Sequence, residues 1–109
     1  MVSFEYNVSF KEKTMIRHIC MFKLKADRAA NTAEFVRRAE SLRVIEEIRR
    51  FEVVTNVDGT PEGNFDVSLI FDFDSLAALD AYQTNPIHLE FAKFVASVRE
   101  DRACIDCEV

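Results

Sequence analysis

The spacing of apolar residues in this chain switches repeatedly between a period of two and a helical period, and the order of those switches admits few folds. Val2, Phe4, Tyr6, Val8 and Phe10 alternate with Ser3, Glu5, Asn7, Ser9 and Lys11, which predicts a first strand with one apolar face. After a polar break, residues 15–25 alternate again. His18, Cys20, Phe22 and Leu24 share one face, and Arg17, Ile19, Met21 and Lys23 the other. Phe35, Ala39, Leu42, Ile45 and Ile48 then recur at helical spacing, with Asn31 or Thr32 available as cap and Glu34 in the first turn. Period two returns in residues 51–57. Both glycines and one of the two prolines fall in residues 58–64, which marks a loop. Phe65, Val67, Leu69, Phe71 and Phe73 follow as the strongest strand, so the two runs read as a hairpin. Ser75 starts a short helix carrying Leu76, Leu79 and Tyr82 inward. Asn85-Pro86 then restarts the chain as cap and first residue of a helix with Leu89, Phe91, Ala92, Val95 and Val98 buried. A last strand, residues 101–109, sets Ala103, Ile105, Cys107 and Val109 against Arg102, Cys104, Asp106 and Glu108.

An extra strand followed by β-α-β-β-α-β is the split βαβ order of the ferredoxin-like α+β fold, with one antiparallel sheet. Crossover handedness puts the helical segments on one face of that sheet. The opposite face is expected to carry Ile19, Met21, Val54, Ile70 and Cys104 among polar residues. That mixture suits a partner surface, so a homodimer is expected that packs two such sheets together and buries about 800 Å² per partner. The ten phenylalanines in 109 residues fit this reading, because one domain of this size hides them most readily as half of a dimer.

The chain has 14 basic and 19 acidic residues, a net charge of −5, which argues against a phosphate-tracking nucleic-acid binder. No apolar run approaches the roughly 20 residues of a membrane span, and no secretory leader pattern is visible, so a cytoplasmic location is expected. Three cysteines are too few for a secreted disulfide framework. Cys104 and Cys107 stand three apart on a strand and point to opposite faces, so they neither bond nor share a metal. Cys20 reads as a small apolar wall residue. No metal and no cofactor are expected.

Four stretches carry a resemblance. Met15-Ile16-Arg17-His18-Ile19-Cys20-Met21-Phe22-Lys23-Leu24-Lys25, Phe65-Asp66-Val67-Ser68-Leu69-Ile70-Phe71-Asp72-Phe73, Leu79-Asp80-Ala81-Tyr82-Gln83-Thr84-Asn85-Pro86-Ile87-His88 and the ending Asp101-Arg102-Ala103-Cys104-Ile105-Asp106-Cys107-Glu108 resemble the stress-responsive A/B barrel family. The resemblance covers residues 15–109, leaves residues 1–14 as an extension, and implies a dimeric α+β barrel. Most members have no assigned reaction. One plant member is a polyketide cyclase that closes a ring by a cofactor-free aldol condensation, with a histidine as general base and a tyrosine positioning the chain. His88 and Tyr82 match those two positions, and His18 matches a further pocket histidine. Another pocket histidine of that enzyme falls at Val67 here.

The residues themselves point the same way. As third residue of a helix, His88 meets a partial positive charge that keeps its ring neutral, as a general base requires near pH 7. His18, Tyr82 and His88 are expected to converge between sheet and helices in a pocket walled by Cys20, Phe22, Phe35, Val67, Leu69, Phe71 and Phe91. The leading expectation is a homodimer that binds a small apolar or aromatic molecule there. The alternatives are a cofactor-free acid–base enzyme and a stress-linked structural module without ligand.

Overall fold

The computed structural model describes residues 14–109. The expected strand of Val2, Phe4, Tyr6, Val8 and Phe10 lies outside the described residues. The described elements are β1 (Ile16–Leu24), α1 (Arg28–Ala39), β2 (Arg50–Thr55), β3 (Val67–Phe73), α2 (Leu76–Thr84), α3 (Pro86–Val98) and β4 (Arg99–Glu108). The strands form an antiparallel sheet in the order β2-β3-β1-β4, and the helices pack on one face. This is the ferredoxin-like α+β fold.

Alternation sets which face is buried. Ile16, His18, Cys20, Phe22 and Leu24 of β1 are buried toward the helices, as are Val67, Leu69, Phe71 and Phe73 of β3. Phe35, Leu42, Leu79, Tyr82, Phe91 and Val95 meet them from the helical layer. Phe35 lies between Phe22 and Phe91, with ring centroids 5.1 and 5.2 Å away, and Phe51 stacks on Phe71 at 4.7 Å. Packed rings of this kind contribute most of the apolar burial in a small core. Leu76 and Leu89, expected inward, are exposed, because Leu79, Tyr82, Phe91 and Val95 already fill the space above the sheet.

The second and third helices start where the sequence indicates. The Ser75 hydroxyl accepts the Ala78 N–H, Asn85 Oδ1 accepts the Ile87 N–H, and Pro86 opens α3. The first helix begins earlier than Asn31 or Thr32 predicts, because Arg28 is fixed to Asp66 by three side-chain hydrogen bonds of 2.8, 3.1 and 3.3 Å. It also stops at Ala39 and tightens into a 3-10 turn, Glu40–Val44. Ile45 is buried from the segment after that turn rather than from a longer helix.

One face assignment is corrected by the register. Cys104 pairs with Cys20, and Ile105 with Ile19. Cys104 therefore shares the helix-facing side, and Ile105 joins Ile19, Met21, Val54 and Ile70 on the uncovered face. There Arg17 holds Asp72 through two hydrogen bonds of 2.8 and 3.0 Å. Hydrogen bonding to Arg17 keeps the Asp72 carboxyl below its usual range although burial opposes this.

Candidate functional site

Between β1, β3, α2, α3 and β4 lies a cavity of about 170 Å³. His18, Tyr82 and His88 border it, with Phe22, Leu69, Phe91, Ala92 and Val95 as apolar walls and Arg99 and Arg102 also lining it. For scale, an apolar protein cavity of about 150 Å³ accepts benzene. The space is therefore sized for one ring and a small substituent.

Each polar group is held by the element that carries it. Helical spacing turns Leu79 and Tyr82 of α2 to the same side, and the Tyr82 ring packs on Phe73 at 5.1 Å and on Phe71 at 5.8 Å. His88 enters from the first turn of α3, 4.5 Å from the Tyr82 ring, and His18 rises from β1 at 6.2 Å from the same ring. Tyr82 thus stands between the two imidazoles. Burial raises its pKa, so the hydroxyl stays protonated and able to donate at physiological pH.

The hydrogen bonds of the histidines fix their tautomers. His88 Nδ1 lies 3.0 Å from the Gln83 carbonyl oxygen, which only accepts, so Nδ1 carries the proton and Nε2 keeps its lone pair. Burial pushes the His88 pKa below its ordinary value, and the charges of His18 and Arg102 act in the same direction against the pull of the Gln83 carbonyl. His18 Nδ1 lies 2.5 Å from Asp106 Oδ1, an arrangement that orients the ring as a carboxylate orients a catalytic or metal-bound histidine. Two imidazoles and a phenol with fixed donor and acceptor roles can polarise a carbonyl or move a proton at a bound molecule.

The structure divides the expected pocket residues. Phe22, Leu69 and Phe91 border the cavity with His18, Tyr82 and His88. Cys20, Phe35, Val67 and Phe71 do not line it. Phe35 sits behind Phe22 and Phe91, Phe71 is covered by Phe51 and Tyr82, Val67 lies beyond Leu69 on β3, and Cys20 faces Cys104 across the sheet. Asp106, Arg99 and Arg102 are the residues sequence reasoning missed. Only the register of β4 against β1 reveals them.

That register also brings the cysteines together. Cys20 and Cys104 are joined as a cross-strand disulfide with a Cα–Cα distance of 4.2 Å, while Cys107 is free. Cys104 and Cys107 do not bond to each other, as their spacing on one strand predicts. Cys20, expected as a plain apolar wall residue, is instead the partner of Cys104 from 84 residues away, because the register sets the two opposite each other.

A wider cleft of about 850 Å³ runs between α1 and residues 55–62, and several of its polar side chains are engaged with one another. Arg28 holds Asp66 and Glu62, and Asn56 holds Thr60. The smaller cavity is where reactive groups face open space.

The chain is similar to known proteins of one family and fold. The model of the stress responsive A/B barrel domain matches residues 16–109. A protein from Bacteroides fragilis, described as dimeric, ferredoxin-like and of unknown function, is 31% identical over 87% of this chain and 96% of its own, with a TM-score of 0.73. A Dabb-family protein from Mesorhizobium loti with a ferredoxin-like fold is 26% identical over 87% of this chain and 96% of its own, TM-score 0.73. The hydroxynitrile lyase of Passiflora edulis shares the fold at 19% identity, covering 87% of this chain and 93% of its own, TM-score 0.74. No curated protein matches the chain.

Proposed function

The chain belongs to the stress-responsive A/B barrel domain family, and on that footing we propose that it binds a small carbonyl compound of about one ring between sheet and helices. One observation carries this reading: His18, Tyr82 and His88 meet at a cavity whose other walls are largely apolar. The apolar walls would take the ring, and the Tyr82 hydroxyl would donate to the carbonyl oxygen. Titration with benzaldehyde tests it. Saturable shifts of the His18 and His88 ring protons in NMR, at one site per chain, are expected. Phe91→Trp, which fills the cavity, should remove them. The absence of any saturable shift in the folded protein would defeat the reading.

A second reading is cofactor-free proton transfer at the bound carbonyl compound. Its support is that His88 is held neutral by burial and presents Nε2 as the available base. The step removes a proton from the carbon next to the carbonyl, His88 Nε2 receives it, and the enolate oxygen takes a hydrogen bond from Tyr82. Acetophenone in D₂O should then exchange its methyl protons faster with the protein than with His88→Ala. Equal rates would leave binding alone.

The protein acts, in this reading, as a homodimer closed through the uncovered sheet face, with Ile19, Met21, Val54, Ile70 and Ile105 at the seam. The Bacteroides fragilis relative is itself described as dimeric. A symmetric seam of about 800 Å² per partner would cover these side chains and enclose the Arg17–Asp72 pair.

A further inference from the structure

β1 and β4 set His18 opposite Asp106 and Cys20 opposite Cys104. Same-face residues on a strand are two apart, so these four side chains form a two-by-two array on the helix-facing side of the sheet. A nitrogen of His18 and the sulfurs of Cys20 and Cys104 all lie within 4.8 Å of one another. His18 and Cys20 are buried, whereas Cys104 is exposed because β4 is an edge strand. The array is therefore anchored in the core and open to solvent on one side.

We propose that, once the Cys20–Cys104 disulfide is reduced, His18, Cys20 and Cys104 form a three-ligand site for a soft divalent ion of the Zn²⁺ kind. One imidazole and two thiolates are a donor set that Zn²⁺ takes with a fourth position left to water, whereas Mg²⁺ and Ca²⁺ require oxygen ligands. Two thiolates balance the charge of a dication, which suits a partly buried place. Asp106, already hydrogen-bonded to His18, supplies the carboxylate that orients a metal-bound imidazole. Bonds of about 2.0–2.3 Å in tetrahedral geometry hold ligand atoms roughly 3.3–3.8 Å apart, so the array contracts by about 1 Å and the sulfurs separate by side-chain rotation.

The chemistry balances. A small thiol or phosphine takes up the disulfide's oxidation and leaves two cysteine thiols, and the ion then displaces two thiol protons to solvent. Affinity consequently rises with pH. The oxidised and metal-bound states exclude each other, since both use the same two sulfurs.

The site shares His18 with the cavity, but Cys20 and Cys104 do not line the cavity, so substitution of Cys104 tests the metal site separately from the cavity reading. The test is titration of the fully reduced protein, freed of reductant under inert gas, with Co²⁺ alone and then Zn²⁺. Expected are one Co²⁺ per chain, a strong sulfur-to-cobalt charge-transfer band, displacement by equimolar Zn²⁺, and protection of two of the three thiols from a thiol reagent. Cys104→Ser should abolish the band while benzaldehyde binding persists. Asp106→Asn should weaken Co²⁺ roughly 10- to 100-fold. Failure of the reduced, folded protein to take up Co²⁺ would overturn the proposal, as would a band that survives Cys104→Ser. Circular dichroism of each variant ensures that lost binding is not lost folding.

Discussion

At His88 a single backbone contact decides which ring nitrogen is available, and burial decides when the ring gains charge. Its native pKa lies below the ordinary 6.5, so on acidification the unfolded chain takes up this proton first. The stabilisation from neutral His88 is complete above about pH 6.5 and is lost as pH falls through the depressed native value. His88→Gln should remove that acid-side step from a plot of Tm against pH. An unchanged step would assign it to another group. At Tyr82 ring and hydroxyl separate cleanly. Tyr82→Phe keeps the packing on Phe71 and Phe73, so stability should change by under about 1.5 kcal/mol while benzaldehyde affinity falls about tenfold. Tyr82→Ala should cost about 3–5 kcal/mol in denaturant unfolding, as loss of a buried ring does. The three central residues of the cavity were legible in the sequence because each sits on a strongly patterned element. Asp106, Arg99 and Arg102 were not, because alternation assigns a strand's two faces without saying which face meets the helices.

Among the elements, Asp66 is the brace where β1, α1 and β3 meet. Its carboxylate accepts the Leu24 N–H at 2.7 Å and pairs with Arg28. Burial alone would raise its pKa, but the hydrogen bonds from Arg28 and Leu24 outweigh that and hold it below the usual range. Its contribution therefore persists above the ordinary value of 3.8 and is lost as pH falls through the lower native one. Asp66→Ala should lower stability by about 1–3 kcal/mol, measured by urea unfolding, because the buried Leu24 N–H loses its acceptor. It should also delay the start of α1. Asp66 explains the displaced helix boundary as well: a long-range ion pair pulls in four residues that local cap propensity leaves outside. Element order, the hairpin and the capped starts of α2 and α3 were readable from periodicity and turn residues, which act locally. The face of β4 and the pairing of Cys20 with Cys104 depend on register between strands far apart in sequence, and no local signal encodes that.

For the whole molecule, the uncovered face makes assembly testable. Ile105 is 60% exposed beside Ile19 and Met21, and in the proposed homodimer a charge placed there would meet its own copy across the two-fold seam. Ile105→Arg should shift sedimentation from dimer to monomer with the helical content unchanged. A variant that stays dimeric would move the seam elsewhere. The position of β4 has a further consequence, in folding kinetics. Cys20 and Cys104 are 84 residues apart and His18 and Asp106 are 88 apart, whereas β2 and β3 are joined by one loop. Closing a long loop costs entropy before its contacts return any stability, so the hairpin should be ordered early and β4 should dock late. Substitutions in β4 would then accelerate unfolding and barely touch the refolding rate, while Phe71→Leu in the hairpin would slow refolding. A chain paused before that last docking already has its helices and central strands. It still lacks the carboxylate that orients His18, the second sulfur, and the strand that completes the outer face.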